Sequence, residues 1–265
     1  MDLNQLSQLA FQTIRVQIDN PICTIQLYRP EANNTINGTM LQELTQLLTA
    51  LQATECTVVV LEGLPEVFCF GADFGAMAES HQSHGEVEND PEFLYNLWLL
   101  LATGPFMTIA HVRGKVNAGG VGFVSACDLV IADTTVTFSL SELLFGLIPA
   151  CVMPFLVRKV GTQKAHYLTV TTQTISAEKA TEWGLVDDLG EKSKPLLRKH
   201  LMRLRRMSKK TITRYKRFIS EINPILTTAK NTSLSMNAEV FSDQDNLNAI
   251  RRYVEEGIFP WEKKC

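Results

Sequence analysis

The stretch Gly114–Asp133, GKVNAGGVGFVSACDLVIAD, decides how the chain is read. It sets Gly114, Gly119, Gly120 and Gly122 ahead of a Cys127–Asp128 pair and the apolar run LVIAD. Glycine has no Cβ, so a ligand can come close to the chain there. The segment VGFVSACD is apolar enough to be a buried helix, following the strand MTIAHVRG. Amides at a helix N-terminus are a ready site for a developing negative charge. A second turn of this kind, FCFGADF (Phe68–Phe74), follows the run TVVVLEG. Two backbone amides meeting on one oxygen would form an oxyanion hole for a developing enolate.

Outward from these turns the pattern is α/β. TIRVQI and ICTIQLYRP alternate and are joined by DNP, the pattern of a hairpin. NGTMLQELTQLLTALQ carries Leu41, Leu44, Leu48 and Leu51 at helical spacing, with Thr39 and Gln42 as a capping box. CTVVVLEG, FMTIAHV and LVIAD are continuous apolar runs, expected of strands buried on both faces. FLYNLWLLLATG is a helix ending at Gly104, and SAEKATEWGLVDDL a short capped helix with a strand. AESHQSHGEVENDPE has little apolar content and reads as a mobile loop. Strands alternating with helices argue for an α/β fold.

Composition excludes several classes. With 265 residues, 45% of them hydrophobic, the chain can bury a sizeable core, and its net charge of −3 is that of an ordinary globule. No basic n-region with an apolar h-segment opens the sequence, and no run reaches the roughly 18 apolar residues of a membrane span. The six cysteines are scattered without a C-x-x-C pair, so they are expected to be buried thiols in a cytoplasmic protein. His81 and His84 form H-x-x-H in a polar loop without a third ligand, so no metal is expected. His111, on an apolar strand, reads as a satisfied core histidine, and Cys69 as a packed thiol.

RPEANNTIN, FCFGADF, GKVNAGGVGFVSACDLVIAD, FSLSELLFGLIPA and ISAEKATEWGLVDDL occur in this order. Together they closely resemble the crotonase (enoyl-CoA hydratase) superfamily from about Phe11 to Leu189. The resemblance implies a core of repeated ββα units over residues 1–190. It also implies a helical C-terminal region, 191–265, that drives trimerisation, with hexamers as dimers of trimers. A thioester carbonyl would be held by the amides of Ala72, within GAD, and Gly119, within AGG. Family hydratases use two glutamates. The second matches Glu142 in SLSELLFG, whereas the first falls on Gly122, a clear departure. A single carboxylate near the carbon next to a thioester, with the enolate held by amides, can act as acid and base. Asp73, Lys115 and Asn117 are candidate pocket residues. For each a bland reading stands beside the functional one: a structural aspartate, a surface lysine, a turn asparagine.

Nearly the whole chain, including YVEEGIFPWE near its end, looks like the stand-alone dehydratases of bacterial polyketide β-branching cassettes. That resemblance implies dehydration of 3-hydroxy-3-methylglutaryl on an acyl carrier protein to 3-methylglutaconyl, which a partner decarboxylase then consumes. No cofactor is expected beyond the phosphopantetheine that carries the substrate. The carboxylate-bearing substrate makes polar or cationic groups in the pocket chemically sensible. Lys192–Arg217 holds twelve of the chain's twenty-five Lys and Arg and no acid, and reads as a helix with a basic face. Such a face suits an anionic partner, an acidic carrier protein or the phosphate of its arm, with Arg203 and Arg206 as candidate contacts. Two alternatives stay open: a decarboxylase or isomerase on the same fold, and an RNA-binding relative. RNA recognition wants aromatics among the basic residues, and Tyr215 and Phe218 lie only at the far end.

Overall fold

The computed structural model describes residue 6, residues 9–75 and residues 90–262. Its larger sheet has six strands in the order β1 (Ile14–Asp19), β2 (Ile22–Leu27), β3 (Val58–Glu62), β5 (Met107–Val112), β7 (Leu129–Asp133) and β10 (Asp188–Gly190). The hairpin β1–β2 is antiparallel with Ile14 opposite Leu27, and the later pairings are parallel. A second sheet is built from very short strands, β4 (Val67–Cys69), β6 (Lys115–Asn117), β8 (Thr137–Ser139) and β9 (Ile175–Ser176). Three times in succession a strand of the large sheet runs into a strand of the small one and then into helix. This is the repeated ββα core that the resemblance implied.

The continuous apolar runs have a plain cause, because both faces of the large sheet are covered. Side chains alternate along a strand. Val58, Val60, Ile109 and Ile131 therefore face Leu197 and Leu204 of helix Ser193–Leu204. Their neighbours Val59, Leu61, Ala110 and Val130 face the main core. Helix Gly38–Gln52 starts differently from the expected capping box. Asn37, extended at φ −126° and ψ 173°, is the N-cap, and its side chain accepts from the Met40 amide. Asn37 stands immediately ahead of the helix, whereas Thr39 is already inside its first turn.

The basic segment also differs from a single helix. It is two helices, Ser193–Leu204 and Lys209–Ile222, and the Ser208 side chain caps the second by accepting from the Thr211 amide. Two of its lysines belong to the fold. Lys216 is 3% exposed; its Nζ lies 2.8 Å from Asp128 and donates to the carbonyls of Leu101 and Phe106. Lys209 Nζ donates to the carbonyls of Leu51, Thr54 and Cys56, closing the C-terminal end of helix Gly38–Gln52. The other ten cations, Arg203 and Arg206 among them, are exposed.

His111 is a satisfied core histidine. Nδ1 lies 2.5 Å from Glu62 Oε1, and Nε2 lies 2.6 Å from Ser193 Oγ. An acid, an imidazole and a serine in line suggest a nucleophile relay. Ser193, however, is 1% exposed, its amide donates to Asp133, and none of the three residues lines the cavity described below. The chain of bonds pins helix Ser193–Leu204 onto β3 and β5. Cys23, Cys56, Cys69, Cys127 and Cys151 are free and buried, and burial pushes the Cys69 thiol up to about 12. No described helix is long and apolar enough to cross a membrane.

Candidate active site

The two glycine turns meet. Ile36 pairs with Ala72 as an isolated parallel bridge, in which the Ile36 amide donates to Gly71 O and the Asp73 amide donates to Ile36 O. Successive amides of an extended chain point to opposite sides, so the Ala72 N–H is directed away from Ile36. Gly71 adopts φ +92°, and a Cβ there would meet Ala118 Cβ at 2.7 Å and Gly119 N at 3.5 Å. A side chain at 71 would therefore push the two turns apart. On the other turn, helix Gly119–Ala126 begins beside Ala118, a non-glycine residue at φ 49° and ψ −120°. That backbone costs on the order of 1–3 kcal/mol. It is held by the Ala118 amide donating to Ser139 O at 3.0 Å and the Val121 amide donating to Ala118 O at 2.9 Å. Gly119, the first helical residue, has an amide without an intrahelical acceptor.

Ala72 and Gly119 line one cavity of about 420 Å³, together with Glu142, Asp73, Trp98 and Phe241. This is the size of a small-molecule site. Among the described residues three carboxylates border it. Asp73 is paired with Arg29 at 2.9 Å, which fixes the turn carrying Ala72. Asp90 caps helix Pro91–Thr103 by accepting from the Glu92 amide. Glu142 opens a short 3-10 turn, Glu142–Phe145, and its Oε2 is buried without a hydrogen-bond partner among the described residues. Burial pushes its pKa up to about 7, against the opposing pull of the Glu142 and Ser141 amides. A carboxyl group tuned in this way is near the midpoint of its titration at neutral pH, as proton transfer requires.

Gly122 is explained by Trp98. A Cβ on Gly122 would lie 2.4 Å from two carbons of the indole ring, and the ring is wedged edge-on against Phe123 and Phe155. No side chain fits at position 122 while Trp98 is present. Nothing in the sequence signals this, because Trp98 reads there as one more apolar residue of an apolar helix. Arg29 was also missed, although it stands inside the quoted RPEANNTIN.

The remaining candidates lie outside this cavity. Lys115 is exposed at the start of β6 and does not line the cavity. Asn117 turns to the segment before Glu142: its Oδ1 accepts from Ser139 Oγ at 2.8 Å, and its Nδ2 donates to Ser141 Oγ at 3.0 Å. It can position the Glu142 turn but does not reach the pocket. The cationic groups expected there are absent from the described lining, which holds no Lys, Arg or His. Arg203 and Arg206 do not border the cavity. His81 and His84 lie outside the described residues, among which no group of three metal-ligating side chains occurs.

Repeated ββα units with both glycine turns and Glu142 on one cavity define a protein of the crotonase type. The chain belongs to the enoyl-CoA hydratase/isomerase family, whose model matches residues 17–264. It is 55% identical over 254 residues to the bacillaene synthase dehydratase PksH of Bacillus subtilis, covering 96% of this chain and 98% of that protein. The crystal structure of the B. subtilis protein, described as a putative polyketide biosynthesis enoyl-CoA hydratase, superposes with a TM-score of 0.91 over 95% of this chain and all of that one. A hydroxycinnamoyl-CoA hydratase-lyase of Pseudomonas fluorescens is 31% identical, covering 67% of this chain and 66% of its own length. An enoyl-CoA hydratase of Bacillus halodurans, 18% identical, shares the fold with a TM-score of 0.81 over 90% of this chain and 99% of its own.

Proposed function

We propose that the protein dehydrates a β-hydroxyacyl thioester in polyketide biosynthesis, converting 3-hydroxy-3-methylglutaryl on an acyl carrier protein to 3-methylglutaconyl. The observation that carries this reading is the pairing of the Glu142 carboxylate, whose buried Oε2 has no hydrogen-bond partner among the described residues, with the converging turns of Ala72 and Gly119. The likeness to a polyketide dehydratase narrows the substrate class. In the proposed cycle the Glu142 carboxylate removes the proton on the carbon next to the thioester. The enolate oxygen is held by the two amides. The enolate then re-forms the carbonyl, the bond to the β-hydroxyl breaks, and Glu142 returns the proton to the departing oxygen as water. One group serves as base and then acid, so the missing carboxylate at Gly122 leaves no step unsupplied.

The thioester arm is carried by an acidic protein, and the exposed Arg203 and Arg206 give it a complementary surface. Helix Lys209–Ile222 also exposes Tyr215, Phe218, Ile219 and Ile222 at helical spacing, an apolar stripe on which the expected homotrimer could close. The test is mass analysis of carrier-bound 3-hydroxy-3-methylglutaryl after incubation with the protein. Loss of one water supports the dehydratase. Additional loss of carbon dioxide would instead assign the decarboxylase chemistry of the same fold.

A further inference from the structure

Trp98 is built into the cavity in a way that its packing alone does not require. It is 1% exposed and lines the same cavity as Glu142 and Gly119, with its Cζ2 3.9 Å from where a Gly119 Cβ would stand. Its Nε1–H is buried and has no acceptor among the described residues. Burying a donor without a partner is costly, and a phenylalanine at this position would avoid that cost. Glu142 Oε2, on the same cavity, is a buried acceptor that is likewise unpartnered among the described residues, so the two groups do not satisfy each other. Indole nitrogen donates but neither accepts nor titrates. It can therefore hold an oxygen of the substrate without competing with Glu142 for the proton.

We propose that Trp98 is a specificity-determining residue whose indole N–H donates to the β-hydroxyl oxygen of the bound thioester, while its ring keeps position 122 free of any side chain. This rests on the dehydratase reading and adds the group that recognises the leaving oxygen. A neutral donor in place of a second carboxylate favours a substrate that already carries its hydroxyl. A site built to bond a hydroxyl discriminates against an analogue lacking it, because the buried donor is then left unpaired.

The test is equilibrium binding of two pantetheine thioesters, one with the β-hydroxyl and one in which hydrogen replaces it, measured in a Glu142→Gln background so that neither is turned over. With Trp98 in place the protein should prefer the hydroxylated compound roughly three- to tenfold, the range of one neutral hydrogen bond. Trp98→Phe should abolish that preference while leaving affinity for the deoxy compound nearly unchanged. Should Trp98→Phe fold poorly, benzothienylalanine at 98 keeps the bicyclic shape and removes the N–H alone, with the same expected outcome. A preference retained by these variants overturns the role of Trp98 and leaves the dehydratase reading intact. A wild-type protein that binds neither thioester, and leaves the carrier-bound substrate unchanged, overturns both.

Discussion

Replacing Glu142 by Gln separates the electrostatics of the site from its shape. Gln keeps an oxygen for the Ser141 and Glu142 amides but cannot ionise. In the wild-type protein burial moves this carboxyl from 4.5 to about 7. At about 1.36 kcal/mol per pH unit, that shift corresponds to about 3 kcal/mol against the ionised form. The folded pKa lies above the unfolded one, so the folded chain holds its proton to higher pH. Stability is lost as pH rises between about 4.5 and 7 and stays lost above that window. Glu142→Gln escapes the loss. In urea unfolding, the stability difference in favour of the variant should be larger at pH 8 than at pH 5 by about 2–3 kcal/mol. The same substitution should lower dehydration by about 10²–10⁴, as removing a positioned proton-transfer group does. Wild-type kcat/KM should rise with pH through about 7 as the base ionises. A stability difference that does not change with pH would refute the buried-carboxylate argument. Turnover of the variant within a few-fold of wild type would refute the assignment of Glu142.

Gly122→Ala places a methyl group 2.4 Å from the Trp98 ring and should destabilise the fold by roughly 1–3 kcal/mol or more in denaturant unfolding; an unchanged midpoint would mean the ring yields freely. Gly119→Pro removes one oxyanion donor and should cost on the order of 10²–10³ in turnover. Folding of that variant is checked first by circular dichroism, and full activity in a folded protein would remove the two-amide site. Arg203→Glu with Arg206→Glu should raise the KM for carrier-bound substrate at low salt. The effect should fade as ionic strength rises, with a small pantetheine thioester unaffected; equal losses on both substrates would assign the segment to the fold or the oligomer instead. Leu197→Ala uncovers one face of the large sheet and should cost about 2–5 kcal/mol of stability.

The sequence by itself determined the strands β3, β5 and β7, because short unbroken apolar runs rich in β-branched residues, such as TVVVLEG, suit a sheet covered on both faces. It also determined the glycine turns and the place of Glu142, since those motifs are local and their order along the chain is distinctive. The second sheet was invisible to periodicity because β4, β6 and β8 are three residues each, too short for alternation to register. Side-chain destinations were equally hidden. Asn117 and Lys115 share a side of β6, yet only the pairing of β6 with β8 turns Asn117 to Ser139 and Ser141 and leaves Lys115 in solvent. Lys216 and Lys209 look like two more charges in a basic run until tertiary packing brings buried backbone carbonyls to them. Trp98 and Gly122, 24 positions apart, show the limit most clearly. The sequence displays the missing carboxylate, but only the packing of helix Pro91–Thr103 on helix Gly119–Ala126 shows that an indole ring fills its space.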